Sequence, residues 1–133
     1  MSTTPLAEAP AADVLSISEV AAATGLTVHT LRYYERVGLM LEPVERASSR
    51  HRRYSPSDVG WVDFLTKLRA TGMPIARIRE YAGLLRIGPA SEPERLALLR
   101  AHRAEVEEQL ARTHRSLAAI DIKIAAYQER TTS

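Results

Sequence analysis

Apolar residues recur at helical spacing in five blocks of this chain, each fenced by a residue that starts or stops a helix. The most informative block runs Thr27-Val28-His29-Thr30-Leu31-Arg32-Tyr33-Tyr34-Glu35-Arg36-Val37-Gly38-Leu39. Val28, Leu31 and Tyr34 share one face, while His29, Thr30, Arg32, Tyr33 and Arg36 fall on the other. Thr27 suits the N-cap because its hydroxyl can accept one of the unpaired N–H groups that open a helix. Gly38 suits the stop, where a left-handed backbone is usually needed. Upstream, Ile17-Ser18-Glu19-Val20 opens a shorter helix with Ser18 as its expected cap, running through Ala21–Ala23 to Thr24-Gly25. Two short helices joined by a tight turn containing Gly make a helix-turn-helix.

Past Gly38 the helical pattern lapses, and Glu42-Pro43 is hostile to its return. Residues 44–54 read as a β-hairpin with its turn at Ala47-Ser48-Ser49 and with Arg50, His51, Arg52, Arg53 and Tyr54 on or beside the return strand. Ser55-Pro56-Ser57-Asp58 then supplies a cap, a proline at the first helical position and an acid at the third. Val59, Val62, Leu65 and Leu68 form the stripe of that helix, supported by Trp61 and Phe64, with Lys67 and Arg69 outward. Gly72-Met73-Pro74 separates it from a helix that turns Ile75, Ile78, Ala82 and Leu85 inward, and Gly88-Pro89 is the next break. Trp61, Phe64 and Tyr81 are expected in or near the core.

Ser91-Glu92-Pro93-Glu94 reads as a capping box, and neither Gly nor Pro occurs after it. With Leu96 at position a, the a and d series is Leu96, Leu99, Arg103, Val106, Leu110, Thr113, Leu117, Ile120, Ile124 and Tyr127, eight of ten apolar. A helix over residues 91–128 would be roughly 57 Å long at 1.5 Å per residue. A core built from the preceding residues cannot cover that length, so part of the stripe is expected to meet a second chain. The competing reading folds the helix back on its own domain.

Charge sharpens the picture. Lys and Arg against Asp and Glu give −3 over residues 1–25, 10 − 5 = +5 over residues 26–79 and 8 − 8 = 0 over residues 80–133. The excess is centred on the Thr27 helix and the hairpin, and four of the ten cations are Arg46, Arg50, Arg52 and Arg53. A polyanion would be attracted there. The outer helix face joins cations to hydrogen-bonding and stacking groups, the chemistry that reads base edges and phosphates. Residues 1–15, rich in Ala, Pro and Thr, are expected to be a disordered leader. The chain has no cysteine, which removes disulfides, thiolate metal sites and thiol redox switching. No apolar run approaches membrane-spanning length and the first residues do not resemble a signal peptide, so no membrane partner is expected and the cytoplasm is the expected location. His29, His51, His102 and His114 are scattered without a nucleophile–base–acid set or a phosphate-cradling loop, so no enzyme, metal or cofactor is expected. His102 and His114 are read as surface or partner-facing.

The segment SISEVAAATGLTVHTLRYYERVGL resembles the signature helix-turn-helix of MerR-family transcription regulators, RRYSPSDV resembles that family's wing strand and next helix start, and LRATGMPIARIREY resembles its following helix junction. The resemblance spans about residues 16–128. It implies a mainly α fold: a winged helix-turn-helix domain over residues 16–88 with a small β-hairpin wing, an antiparallel coiled-coil dimerisation helix over residues 91–128, and a tail at 129–133. It assigns Thr27, His29, Thr30, Arg32, Tyr33 and Arg36 to the DNA-facing helix, Arg50, His51, Arg52, Arg53 and Tyr54 to the wing, and Arg69 to a phosphate contact. Leu96, Leu99, Val106, Leu110, Leu117, Ile120 and Ile124 become the dimer seam. The wing turn departs from the family's usual Asn-Gly or Ser-Gly, reading Ser49-Arg50 here. Lys67 stands where the aldehyde- and electrophile-responsive branch carries its sensing cysteine. The implied partners are double-stranded promoter DNA at a palindromic operator, a second copy of the chain, and RNA polymerase on distorted promoter DNA in the bacterial nucleoid. The resemblance does not identify an effector. The alternative is a non-regulatory coiled-coil interaction protein with a basic surface.

Overall fold

The computed structural model describes residues 14–41, 45–46 and 52–132. Its elements are β1 (Leu15–Ser16), α1 (Ile17–Thr24), α2 (Val28–Arg36), β2 (Glu45–Arg46), β3 (Arg52–Tyr54), α3 (Pro56–Ala70), α4 (Ile75–Ile87), a 3-10 turn (Pro89–Ser91) and α5 (Glu92–Thr132). The expected turn at Ala47-Ser48-Ser49, together with Arg50 and His51, lies outside the described residues. The chain divides into two compact units, Met1–Arg95 and Leu96–Ser133.

In the first unit, β3 is the central strand of a three-stranded antiparallel sheet, with β1 on one side and β2 on the other. Leu15 pairs with Tyr54 and Ser16 with Arg53, while Glu45 pairs with Arg53 and Arg46 with Arg52. Leu15 is thus structural rather than part of a disordered leader. The same strand corrects the expected cap. Pairing with β3 leaves Ser16 extended immediately before α1, and Ser16 rather than Ser18 closes a capping box. The Glu19 amide donates to Ser16 Oγ at 3.2 Å and the Ser16 amide donates to Glu19 Oε1 at 2.8 Å. At the far end Gly25 takes φ 78° and its amide bonds Ala21 O, which lets α1 turn abruptly into α2.

α2 begins at Thr27 as expected, with the Thr30 amide donating to Thr27 Oγ1 at 3.0 Å. It closes in a Schellman arrangement around Gly38, φ 79°: Gly38 N–H bonds Glu35 O and Leu39 N–H bonds Tyr34 O. α3 closes the same way, with Gly72 N–H on Arg69 O and Met73 N–H on Leu68 O. Ser55 and Asp58 form the expected box at its start. The core beneath these elements gathers Val20, Leu31, Leu39, Val62, Leu65, Met73 and Ile78, all buried. Trp61 stacks on Tyr81 at 5.9 Å, and Phe64 borders both rings while staying more than a third exposed.

Ser91 does not cap α5 as its sequence context suggests. The 3-10 turn already winds the backbone there, and the Ser91 hydroxyl instead turns back on Leu84 O at 2.5 Å and Gly88 O at 2.9 Å while accepting Arg95 Nε–H. α5 is a single helix of 41 residues that continues through most of the expected tail. Within the second unit Leu98 and His102 are buried, so His102 departs from the surface or partner-facing setting expected of it. Leu96, Leu110, Leu117, Ile120, Ile124 and Tyr127 are exposed, and Leu99 and Val106 are half-buried.

Candidate nucleic-acid interface

The geometry of α2 follows from its two faces. Leu31 and Tyr34 are buried in the first unit, which fixes the rotation of the helix and leaves His29, Arg32, Tyr33 and Arg36 exposed. Thr30, half-buried, is held at the helix start: the Thr27 hydroxyl donates to Thr30 Oγ1 at 3.0 Å while accepting the Thr30 amide. The Arg36 guanidinium lies over the Tyr33 ring at 5.8 Å, so a planar cation and an aromatic face are presented together. Burial pushes the Tyr34 phenol above its ordinary range, the positive charge of Arg69 opposes this, and Tyr33 adds slightly to the rise.

The wing strand is tied to α2 by a bond that the sequence did not disclose. The Tyr54 hydroxyl donates to Glu35 Oε2, and Tyr54 is wholly buried. Tyr54, expected among the DNA-facing groups, therefore belongs to the core and anchors β3. Glu35 is the one acid on α2, and its setting among cations was the available signal. Arg52 and Arg53 precede Tyr54 on β3, at the centre of the sheet, and Arg46 stands opposite Arg52 in register. Arg69 is exposed at the end of α3, but its Nη1 donates to Met73 O at 2.8 Å, so the guanidinium also closes the α3–α4 turn. Lys67 is exposed and paired with Asp63 at 2.6 Å.

The structure thus brings five of the six expected α2 residues to an outward face, His29, Arg32, Tyr33, Arg36 and the partly covered Thr30, with Thr27 at the cap. Such a face suits the major groove, where Arg and His can donate to guanine acceptors and Thr can serve either partner. Nothing in it resembles a catalytic constellation.

Comparison with known proteins points to a single family. The family model described as MerR HTH family regulatory protein matches residues 15–84, and the one described as MerR, DNA binding matches residues 59–128. The HTH-type transcriptional regulator AdhR of Bacillus subtilis is 38% identical over 94 residues, 71% of this chain and 66% of that one. The chain thus spans just under two thirds of that relative's length. The crystal structure of a MerR family regulator from Listeria monocytogenes superposes with a TM-score of 0.80 at 32% identity, covering 86% of each chain. That of HiNmlR, a MerR family regulator lacking the sensor domain and bound to promoter DNA, gives 0.78 at 32% identity, covering 87% of this chain and 91% of that one.

Proposed function

This chain belongs to the MerR family of helix-turn-helix transcriptional regulators, and we propose that it binds a palindromic promoter operator as a homodimer, inserting α2 of each protomer into the major groove. The observation that carries the reading is the outward face of α2, on which His29, Arg32, Tyr33 and Arg36 are exposed by the burial of Leu31 and Tyr34. His29, Thr30 and Arg32 are assigned to base edges, with Tyr33 and Arg36 flanking them on the backbone. Arg52 and Arg53, with Arg50 and His51 beside them in the sequence, are assigned to phosphates along the wing, and Arg69 to a further phosphate. A relative of similar fold is bound to promoter DNA, which supports the duplex as partner.

The seam of α5 supplies the second copy. Leu96, Leu99, Val106, Leu110, Leu117, Ile120 and Ile124 supply an apolar stripe, five of them exposed and Leu99 and Val106 half-covered, on a helix about 60 Å long at 1.5 Å per residue. Antiparallel pairing through it would set the spacing of two recognition helices to match two half-sites. Distortion of promoter DNA for RNA polymerase, in the bacterial cytoplasm, completes the family reading. No helix among the described residues is long and apolar enough to cross a membrane. The coiled-coil interaction protein with an incidental basic surface is set aside, because no observation favours it over DNA.

Substitution separates the roles within the interface. Arg52→Ala and Arg53→Ala should each weaken binding to every duplex and lower the slope of log affinity against log salt by about one. His29→Ala and Thr30→Ala should leave that slope nearly unchanged and alter which sequences a random duplex pool yields. Equal losses on all sequences from all four changes would contradict the assignment of α2 to base reading.

A further inference from the structure

Between α2 and the wing the chain passes through Val37, Gly38, Leu39, Met40 and Leu41, and each of these five carbonyls accepts a hydrogen bond from a side chain of α3 or α4. Arg79 Nε donates to Val37 O at 2.9 Å. Trp61 Nε1 donates to Leu39 O at 2.7 Å. Arg86 takes the other three: Nε donates to Leu41 O at 2.7 Å, and Nη2 reaches Met40 O and, at 3.4 Å, Gly38 O. Leu39 and Met40 are themselves buried, so the segment is pinned by its side chains on one side and by its carbonyls on the other.

The chemistry of the clasp is that of a helix C-terminus. The clasped carbonyls belong to the C-cap and the residues just past the end of α2, near the negative end of its dipole, where a cation is favoured. A guanidinium can bond several carbonyls at once from a rigid plane, and an ammonium on a flexible stem cannot reproduce that geometry. Arg79 and Arg86 recur seven residues apart, two turns of α4, and so present both groups to the same segment. Both residues are exposed, and by charge alone they would pass for phosphate contacts. Their donors are directed instead at the backbone leaving the recognition helix.

We propose that Arg86, with Arg79 assisting, is a positioning residue for operator recognition: the clasp on residues 37–41 fixes the orientation of α2 relative to the wing so that both engage one stretch of duplex. The proposal rests on the DNA-binding reading above. Non-specific binding depends on charge and tolerates a loosened connection; specific binding requires both elements in register. Releasing the clasp lowers the fraction of molecules ready to bind the operator, and apparent affinity falls by that fraction.

The test uses the full chain, an operator duplex recovered from a random pool and a scrambled duplex of the same length, with binding followed by fluorescence anisotropy across a salt series. Arg86→Lys keeps the charge and removes the fork. It should bind the scrambled duplex with the wild-type affinity and salt slope, and the operator roughly tenfold more weakly or worse, with helical content unchanged by circular dichroism. Arg79→Lys, which breaks one bond, should lower the operator preference in the same direction by less. An Arg86→Lys protein with the wild-type operator preference overturns the proposal. So does an Arg86→Gln protein that weakens on both duplexes with a salt slope lower by about one, if Arg86→Lys restores both, because that pattern marks a phosphate contact. Should Arg86→Lys fail to fold, Arg79→Lys decides alone, and an unchanged preference overturns the clasp. A wild type with no preference between the duplexes overturns the DNA-binding reading itself, and the clasp's role with it.

Discussion

Tyr33 and Tyr34 are chain neighbours with opposite roles. One turns a ring outward beneath Arg36, and the other is buried at the base of the same helix. The spacing of Val28, Leu31 and Tyr34 made that division legible, because a helical period depends only on local sequence. The raised pKa of Tyr34 has a consequence for stability. Its folded value lies above the ordinary tyrosine value of 10.0, so as pH climbs past that value the unfolded chain releases a proton that the folded chain retains. The contribution is fully present below the ordinary tyrosine range and is lost as pH rises through the folded value. Urea unfolding from about pH 8 to about pH 11 should therefore show wild-type stability falling more steeply at the alkaline end than that of Tyr34→Phe. Parallel curves for the two proteins would contradict the burial of the phenol as described. Tyr54 was not legible in the same way. Following a basic run it reads as an exposed wing residue, and its partner Glu35 lies nineteen positions away on another element. Arg79 and Arg86 escaped notice for the same reason, since their acceptors are carbonyls forty or more residues distant.

Among elements, the helices were legible wherever caps and periodicity agreed, as at Thr27, Ser55 and Gly38. The short strands were harder. β1 has two residues, too few to display alternation, and only its pairing with β3 reveals it. That pairing moved the first cap from Ser18 to Ser16. The start of α5 was misread because a Ser-x-x-Glu pattern followed by a periodic stripe describes a capping box only when the serine is extended, and here the 3-10 turn precedes it. The long stripe of α5 itself was plain in the sequence, and it yields a prediction at its own scale. Leu110 is about half exposed near the middle of the proposed seam. In an antiparallel pair it would sit close to its own counterpart, each copy contributing roughly 1.5–3 kcal/mol on burial. Leu110→Asp would remove both contacts and set two like charges together in an apolar seam. Sedimentation should show a monomer whose circular dichroism keeps the signal of the folded first unit. A variant that stays dimeric would remove this stripe as the dimer contact.

At the scale of the whole molecule, the sequence carried the arrangement of parts further than it carried their connections. The charge excess over residues 26–79, the opening helix pair and the long terminal stripe all follow from composition and period, whereas the family was read from the resemblance of specific motifs and is shown by the family models. Which cations hold the backbone depended on tertiary contacts, and Arg86 is the clearest case. Two copies of this chain are proposed to read one duplex through α2. A sedimentation-velocity titration of a labelled operator recovered from a random pool, with a scrambled duplex as competitor, measures that claim most directly. The prediction is a saturated complex of two protomers per duplex, with the operator preferred by about a thousandfold or more at physiological salt. Equal affinity for the two duplexes, or tight saturation of the full operator by a single protomer, would contradict it.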